Sequence, residues 1–589
     1  MTHTSAQGWQ PGRTLALALG LLLIGGLSVG LLPSALAQKP AKPDQGAPPE
    51  TAKGQPAVAK NTNMGEVVKI INDKLEASWK ENKLQPSDPC SDHEFIRRVS
   101  LDIIGRIARP EEIDRFLKDP KDTRRALLID RLLKTEEYAE YWGHLWSNWL
   151  LTRSGPFGRG KYHEQTHAWL SLQFSVNEKY DKIVRELVTA TGKNSDNGAV
   201  NFILAHLGEP IPPNKRSEEG HFEMVPITSR ISKLFLGIQT QCTQCHDHPF
   251  DARLKQQHFW GINAFLRQVK RDGAPGMRRR DPNQDLTLSD DTNVNTAGKV
   301  FFEKRNGVIL QTKAVFLDGT KLPPDANRRE KLADLIVQHD NFPKAYVNRL
   351  WAHFFGRGFT NPVDDFNEQN TVSHPELLDE LGKKFKHYGY NQKDLIRWIC
   401  NSNAYNLKSV ANSTNDKADA EPFFSRMLMK TMSLEQLFES LLVATLPEKP
   451  TTPEAKAARK ALREQWMTSL ISNFGDDEGN EVAFQGTIVQ ALMMMNGQEI
   501  NNAINNKDGT VAKMMARPGT AAQYITHLYL VTLNRPPVQT KEMDEVKIIF
   551  SKLPFTEQSR VKGVTDKRES PYQDLMWALL NSNEFLLNH

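Results

Sequence analysis

The sequence predicts a mainly α protein, with two helical domains joined by a small β-hairpin insertion. Three observations carry that reading. Apolar residues recur at helical spacing from Met64 onward. Helix-start signatures of the Ser-x-x-Glu form stand at Ser91–Glu94 and Ser373–Glu376. Strand-like runs are confined to one place, where Val300-Phe301-Phe302 and Val308-Ile309-Leu310 flank the turn Arg305-Asn306-Gly307.

Taken in order, the chain begins with an address. Arg13 precedes an apolar run from Leu15 to Leu32, and Ala35-Leu36-Ala37 supplies small residues for cleavage, so residues 1–37 read as a secretory signal peptide. An uncleaved membrane anchor is the alternative reading of that run, and the expected route to a membrane. Either way the body is expected outside the cytoplasm, in the periplasm, in the cell envelope or secreted. Residues 38–63 are rich in Pro, Ala, Lys and Gln and read as a disordered tether.

Residues 64–270 are predicted as the first helical domain. Val67, Ile70, Ile71, Leu75 and Trp79 fall on one helical face. Pro110 with Glu111 and Glu112 opens another helix, proline suiting its first turn and the acids its positive end. Further helices are expected over Leu127–Leu133 and Tyr138–Leu151, where Trp142, Trp146 and Trp149 make a stripe best read as core. Ile231, Leu234, Phe235 and Ile238 form a later stripe that Cys242 and Cys245 continue, which predicts inward-pointing thiols. Pro249 should end that helix, with the next resuming from about Asp251 through Leu254, Phe259, Ile262 and Phe265.

Residues 271–325 read as a polar loop and β-insertion, Ala314–Leu317 adding a third strand, and Arg278-Arg279-Arg280 as a solvated loop. Residues 326–589 form the second helical domain, with a weakly ordered charged stretch at about 447–460 and core filling at Met493-Met494-Met495. His353 and His374 read as core or capping histidines, and Asp364-Asp365 as a cap. An internal echo runs through the chain. Asp394-Leu395 to Asn401-Ser402-Asn403-Ala404-Tyr405 matches Asp574-Leu575 to Asn581-Ser582-Asn583-Glu584-Phe585 at identical spacing, and Leu132–Tyr138 is a looser copy. Each predicts a helix ending in a polar turn with an aromatic plug.

Chemistry concentrates in Gln241-Cys242-Thr243-Gln244-Cys245-His246-Asp247-His248-Pro249-Phe250. Cys-x-x-Cys-His is the spacing of c-type haem attachment, in which two thiols reach the porphyrin vinyl groups and the next imidazole ligates iron. Haem c on Cys242, Cys245 and His246 is one reading, implying electron transfer or redox chemistry; Met224, His248 and His258 are the nearest candidates for the sixth ligand. A non-haem Zn or Fe held by Cys242, Cys245, His246, His248, Asp251 and His258, in a metalloenzyme or metal-stabilised protein, is a second. A Cys242–Cys245 disulfide in a secreted scaffold or cell-surface interaction protein is the third. Cys90 and Cys400 are isolated, able to pair with each other or to be small buried residues. The net charge of +5, from 75 basic and 70 acidic groups, carries no Lys/Arg stripe and excludes a nucleic-acid footprint. Partners are expected to be a redox protein or a cell-envelope component.

Several stretches carry a family resemblance. Phe95-Ile96-Arg97-Arg98, and Phe235-Leu236-Gly237-Ile238 leading into Cys242–Asp251, resemble the first of two paired domains of unknown function in secreted planctomycete cytochrome-like proteins. Val347–Gly358, Pro362-Val363-Asp364-Asp365-Phe366 and Ser373–Leu378 resemble the second, and Leu579–Phe585 resembles its end. The resemblance implies a cytochrome-like protein without an established activity. Two departures bear on it. A short separate cytochrome domain that often precedes the pair is replaced by the tether. Asp247 stands where small cytochromes commonly have a small residue, and its carboxylate beside His246 would lower a reduction potential or signal another metal.

Overall fold

The computed structural model describes residues 62–152, 161–273, 285–446, 451–474, 498–552 and 571–589. The expected signal peptide, all but the end of the tether, Arg278–Arg280 and Met493–Met495 lie outside the described residues.

The architecture is mainly α, as the periodicity predicts. Helices α1 (Thr62–Glu81), α2 (Asp92–Ile104), α3 (Pro110–Lys118), α4 (Arg124–Leu132), α5 (Glu136–Leu151), α6 (Lys161–Ser175) and α7 (Tyr180–Thr189) come first. The short α8 (Asn201–Ala205) and α9 (Arg216–Glu219) lead to α10 (Val225–Leu236) and α11 (Gln256–Asn263). Then follow α12 (Arg328–Gln338), α13 (Asn341–Phe355), α14 (Pro375–His387), α15 (Gln392–Cys400), α16 (Leu434–Thr445) and α17 (Pro453–Phe474). From Pro453 onward the last of these corrects the weakly ordered stretch expected at about 447–460, of which 447–450 lie outside the described residues. Ala455, Ala457, Ala458 and Ala461 are strong helix formers, and they outweigh the local density of charge.

Local chemistry explains most of the boundaries. Ser91 Oγ accepts from the Glu94 amide at 3.2 Å and caps α2. Gly105, at φ 68°, ends α2 in the left-handed region. Pro110 occupies the first turn of α3, and the Glu112 carboxylate accepts from the Arg109 amide at 2.8 Å. The box expected at Ser373–Glu376 does not form. His374 takes the cap position of α14 instead, and the Ser373 amide donates to Phe359 O at 2.8 Å.

A continuous core joins both halves of the sequence. Trp142, Trp146 and Trp149 of α5 are buried, as the stripe predicts. Tyr180 of α7 stacks on Tyr346 of α13 at 4.0 Å between ring centroids, and Tyr346 stacks on Phe385 of α14 at 5.1 Å. A second cluster gathers residues from Met432 to Leu586 and takes in Leu101 and Ile107.

The hairpin is β4 (Lys299–Glu303) paired antiparallel with β5 (Ile309–Lys313), Phe302 facing Leu310. Ala314–Leu317 adds no strand; Val315 makes only an isolated bridge to Lys321. Two small sheets were not foreseen. Strands β1 (Gly192–Lys193), β2 (Val269–Asp272) and β3 (Thr287–Asp290) form one antiparallel sheet in the order β1-β3-β2. Strands β6 (Lys430–Thr431) and β7 (Leu587–Asn588) form the other.

The sequence echo is a repeated structural unit. Ser402 Oγ accepts from the Tyr405 amide at 3.3 Å and donates to Ile399 O at 2.7 Å. Ser582 Oγ accepts from the Phe585 amide at 3.2 Å and donates to Leu579 O at 2.7 Å. Thr135 repeats both bonds with the Tyr138 amide at 3.2 Å and Leu132 O at 2.7 Å. The aromatic plugs Tyr405, Phe585 and Tyr138 are all buried. Consecutive arginines of α2 then reach two of them, Arg98 donating to Tyr405 O at 2.5 Å and Arg97 to Phe585 O at 2.7 Å.

Helix α2 also holds a buried polar hub. Asp102 accepts from Tyr405 Oη, Lys430 Nζ and Asn588 Nδ2, each at 2.7 Å. One carboxylate therefore ties the β6–β7 pair to α2. Among the described residues, no helix is long and apolar enough to cross a membrane.

Candidate functional site

The Cys-x-x-Cys-His segment is a surface turn, and the inward-pointing thiols expected from the apolar stripe are not found. Gly237 sits at φ 64° and caps α10 after Leu236, so the helical register stops before the cysteines. A Cβ at Gly237 would lie 2.5 Å from the Phe366 ring, and the Phe366 amide donates to Gly237 O at 2.7 Å. Glycine is required there by both conformation and space. Cys242 then falls on a 3-10 turn, Gln241–Gln244.

The turn is anchored through the two residues between the cysteines. Thr243 is buried, and its Oγ1 donates to Thr240 O at 2.6 Å. Gln244 O accepts from Gln256 Nε2 and Trp260 Nε1 of α11, both at 3.1 Å. Gln256 Nε2 also donates to Glu303 O at 2.9 Å, fastening the turn to the hairpin. With Thr243 and Gln244 held inward, Cys242 and Cys245 project outward, exposed and free. They are not joined as a disulfide in this structure. Cys90 and Cys400 are likewise free and are buried; burial raises both thiol pKa values.

Hydrogen bonding sorts the three histidines of the region. His246 Nδ1 lies 2.6 Å from Asp247 O. A carbonyl only accepts, so Nδ1 carries the proton and the Nε2 lone pair is left for a ligand. His248 and His258 show the reverse arrangement. His248 Nδ1 accepts from the Phe250 amide at 3.2 Å, and His258 Nδ1 accepts from the Lys255 amide at 3.1 Å. In the neutral rings Nε2 is then protonated, and neither nitrogen offers a free lone pair. Burial lowers the His258 pKa, favouring its neutral form.

The acids of the region serve the turn. Asp251 is buried against Arg253, which donates from Nε at 2.9 Å, Nη2 at 2.7 Å and the amide at 3.0 Å; this bonding holds the carboxyl below its ordinary pKa. Asp247 Oδ1 accepts the Gln256 amide at 3.0 Å, at the start of α11. The helix therefore resumes at Gln256, not at Asp251, because 247–255 make a turn closed by the His248 amide on Leu254 O at 2.8 Å. Met224 is wholly buried in the main core. Among Cys242, Cys245, His246, His248, Asp251 and His258, no three bring ligand atoms within 4.8 Å of one another.

The remaining candidates are structural. His353 Nε2 donates to Asp102 O at 3.0 Å, and His374 Nε2 lies 3.0 Å from Ser78 Oγ. Asp364 faces Lys233 at 3.4 Å and Arg349 at 3.8 Å.

One constellation went unread in the sequence. Glu140 and His144 of α5 meet His167 of α6, with all three ligand atoms within 4.8 Å of one another. They open on a cavity of about 360 Å³ closed by α16 and α17. The signal available was Glu140-x-x-x-His144 on one predicted helix face.

Comparison with known families finds two matches. Residues 70–271 match a family described as a protein of unknown function (DUF1549), named PSCyt2. Residues 328–549 match a second described as a protein of unknown function (DUF1553), named PSD1. No curated protein and no solved structure matches the chain.

Proposed function

Since the chain carries the two paired domains of unknown function, DUF1549 followed by DUF1553, we propose that it is an exported c-type haem-binding protein with an electron-transfer or redox role. The observation that carries this reading is the donor set of the turn. Two free, exposed thiols stand three residues apart, followed by an imidazole whose Nδ1–H is engaged by a main-chain carbonyl. Metal-ligating histidines usually donate their second ring nitrogen in this way, which fixes the tautomer and ring orientation.

When bound, the haem would supply one-electron chemistry at its iron. Cys242 and Cys245 would hold it covalently, and His246 would offer Nε2 to its iron. Thr243 and Gln244 keep both thiols outside the core and exposed. The Phe250 ring, 57% exposed, offers apolar surface beside the turn. The same hydrogen bonds argue against a closed Zn or Fe cluster here, since His248 and His258 commit Nδ1 to amide donors and Asp251 is paired with Arg253. The test is export of the full chain with c-type maturation machinery, followed by a pyridine haemochrome spectrum. A c-type α-band is expected; its absence from correctly exported, folded protein overturns the reading.

A further inference from the structure

The β4–β5 hairpin is fixed at its base and bare at its tip. Val300, Phe302 and Thr312 are buried, and the Phe302 ring stacks on Trp260 of α11 with planes at 9°. Gln256 Nε2 holds Glu303 O at 2.9 Å. The turn is closed by the Lys304 amide on Val308 O at 2.9 Å and the Gly307 amide on Lys304 O at 2.8 Å. Beyond that base every residue from Glu303 to Gln311 is exposed.

Apolar side chains stand on both faces of the tip. Glu303 pairs with Ile309 and Phe302 with Leu310, so Ile309 lies on one face and Leu310 on the other. Phe301, opposite Gln311, is the diagonal neighbour of Ile309 on its face. Phe301, Val308, Ile309 and Leu310 are all exposed, Ile309 at 68%.

The charge of the hairpin has one dominant sign. Residues 299–313 hold Lys299, Lys304, Arg305 and Lys313 against Glu303 alone. Lys299 stands directly opposite Lys313, and like charges so placed weaken a ladder. None of the four cations forms an ion pair with a described residue. An anionic surface would relieve that repulsion and supply the missing counter-charge.

We propose that the β4–β5 hairpin docks the protein on an anionic lipid surface. Val308 and Ile309 enter the boundary between headgroups and acyl chains, and the basic residues meet lipid phosphates. A protein partner laid on a sheet covers one face, whereas a bilayer surface surrounds a tip that is apolar on both. Pairing with a second copy would set Lys and Arg edges against each other. This contact is distinct from the apolar N-terminal run and does not rest on the haem reading. Since Gln256 fastens Glu303 to Gln244, docking would bring the Cys-x-x-Cys-His turn to the lipid surface.

The test uses the full chain carrying Cys242→Ser, Cys245→Ser and Asn306→Cys, labelled at position 306 with an environment-sensitive fluorophore. Cys90 and Cys400 are buried and stay unlabelled. The probe is a phosphatidylcholine vesicle with one lipid in four replaced by phosphatidylglycerol. The emission is expected to shift to the blue with added vesicles, less so as salt is raised, and not on phosphatidylcholine alone. Val308→Ser/Ile309→Ser should weaken binding at least about tenfold. Lys304→Gln/Arg305→Gln should weaken it about tenfold at low salt. A label placed instead through Glu111→Cys on α3 should show no shift. Far-UV spectra and thermal unfolding check that each variant is folded. Absence of the blue shift at position 306 in folded protein overturns the proposal. So does an equal shift on phosphatidylcholine alone or at the α3 label, or an affinity unchanged in either double variant. A lipid-free dimer abolished by Val308→Ser/Ile309→Ser would assign the tip to a second copy and overturn it too.

Discussion

His246 Nδ1 donates to the main-chain oxygen of Asp247 across 2.6 Å, so the imidazole after the second cysteine is held with Nε2 as its acceptor nitrogen. The carbonyl belongs to the backbone, so it survives replacement of the Asp247 side chain. If haem is attached here, Asp247→Asn should retain histidine ligation while raising the reduction potential, because a negative charge next to the iron is removed. His246→Ala should keep the covalent group through its thiols and lose the axial imidazole. Visible spectra and potentiometry check both. A wild-type spectrum in His246→Ala would refute the axial role.

None of the three further ligand candidates read from the sequence offers an available donor atom. Met224 is buried in the core, and His248 and His258 commit Nδ1 to backbone amides. The haem form is therefore expected to bind added imidazole or cyanide, with a shift in the Soret band. A spectrum indifferent to both would show that another side chain is bound to the iron.

Thr243 anchors the turn from between the cysteines. Thr243→Val keeps the shape but deletes the bond to Thr240 O, and should lower stability by about 1 kcal/mol. Denaturant unfolding measures the loss. The same substitution should reduce the yield of haem attachment, since the thiols are displayed by this bond.

The hub at Asp102 is the more sensitive structural site. Asp102→Ala would leave Lys430 Nζ without its carboxylate, its remaining acceptors being His353 O and Phe354 O at 2.8 Å. Breaking a buried pair from one side typically costs about 3–5 kcal/mol, and denaturant unfolding should show a loss of that order. Lys430→Met, which removes the other charge, should recover part of the loss in the double variant.

Buried histidines set the acid limit. Burial depresses the folded-state pKa of His353 and of His374 to about 4. In the unfolded chain both return to about 6.5. Between those values the unfolded chain binds protons that the folded chain does not. Stability is therefore full above about pH 6.5 and is lost as pH falls toward 4, by up to about 1.4 kcal/mol per pH unit for each histidine. His353→Gln keeps a donor toward Asp102 O and should flatten this slope in unfolding curves taken across that range.

What the sequence disclosed follows the range of the forces involved. Local patterns were legible: the Trp142–Trp149 core face, the Ser91 cap, the hairpin around Gly307, and the echo whose Ser402 and Ser582 make the same pair of bonds. The Cys-x-x-Cys-His motif was legible as chemistry but not as geometry. A single residue, Gly237, broke the register that would have turned its thiols inward. Its histidines look equivalent in sequence, and only their backbone partners separate His246 from His248 and His258. The Glu140–His144–His167 group was illegible because it exists only where α5 meets α6, through the contact that Gly143 permits.

The most direct measurement is the intact mass, under denaturing conditions, of the exported full-length chain made with c-type maturation machinery. The account predicts an increment of one haem on the wild-type chain, and no increment on the Cys242→Ser/Cys245→Ser variant. A wild-type mass equal to that of the processed polypeptide alone, in folded and exported protein, would contradict it.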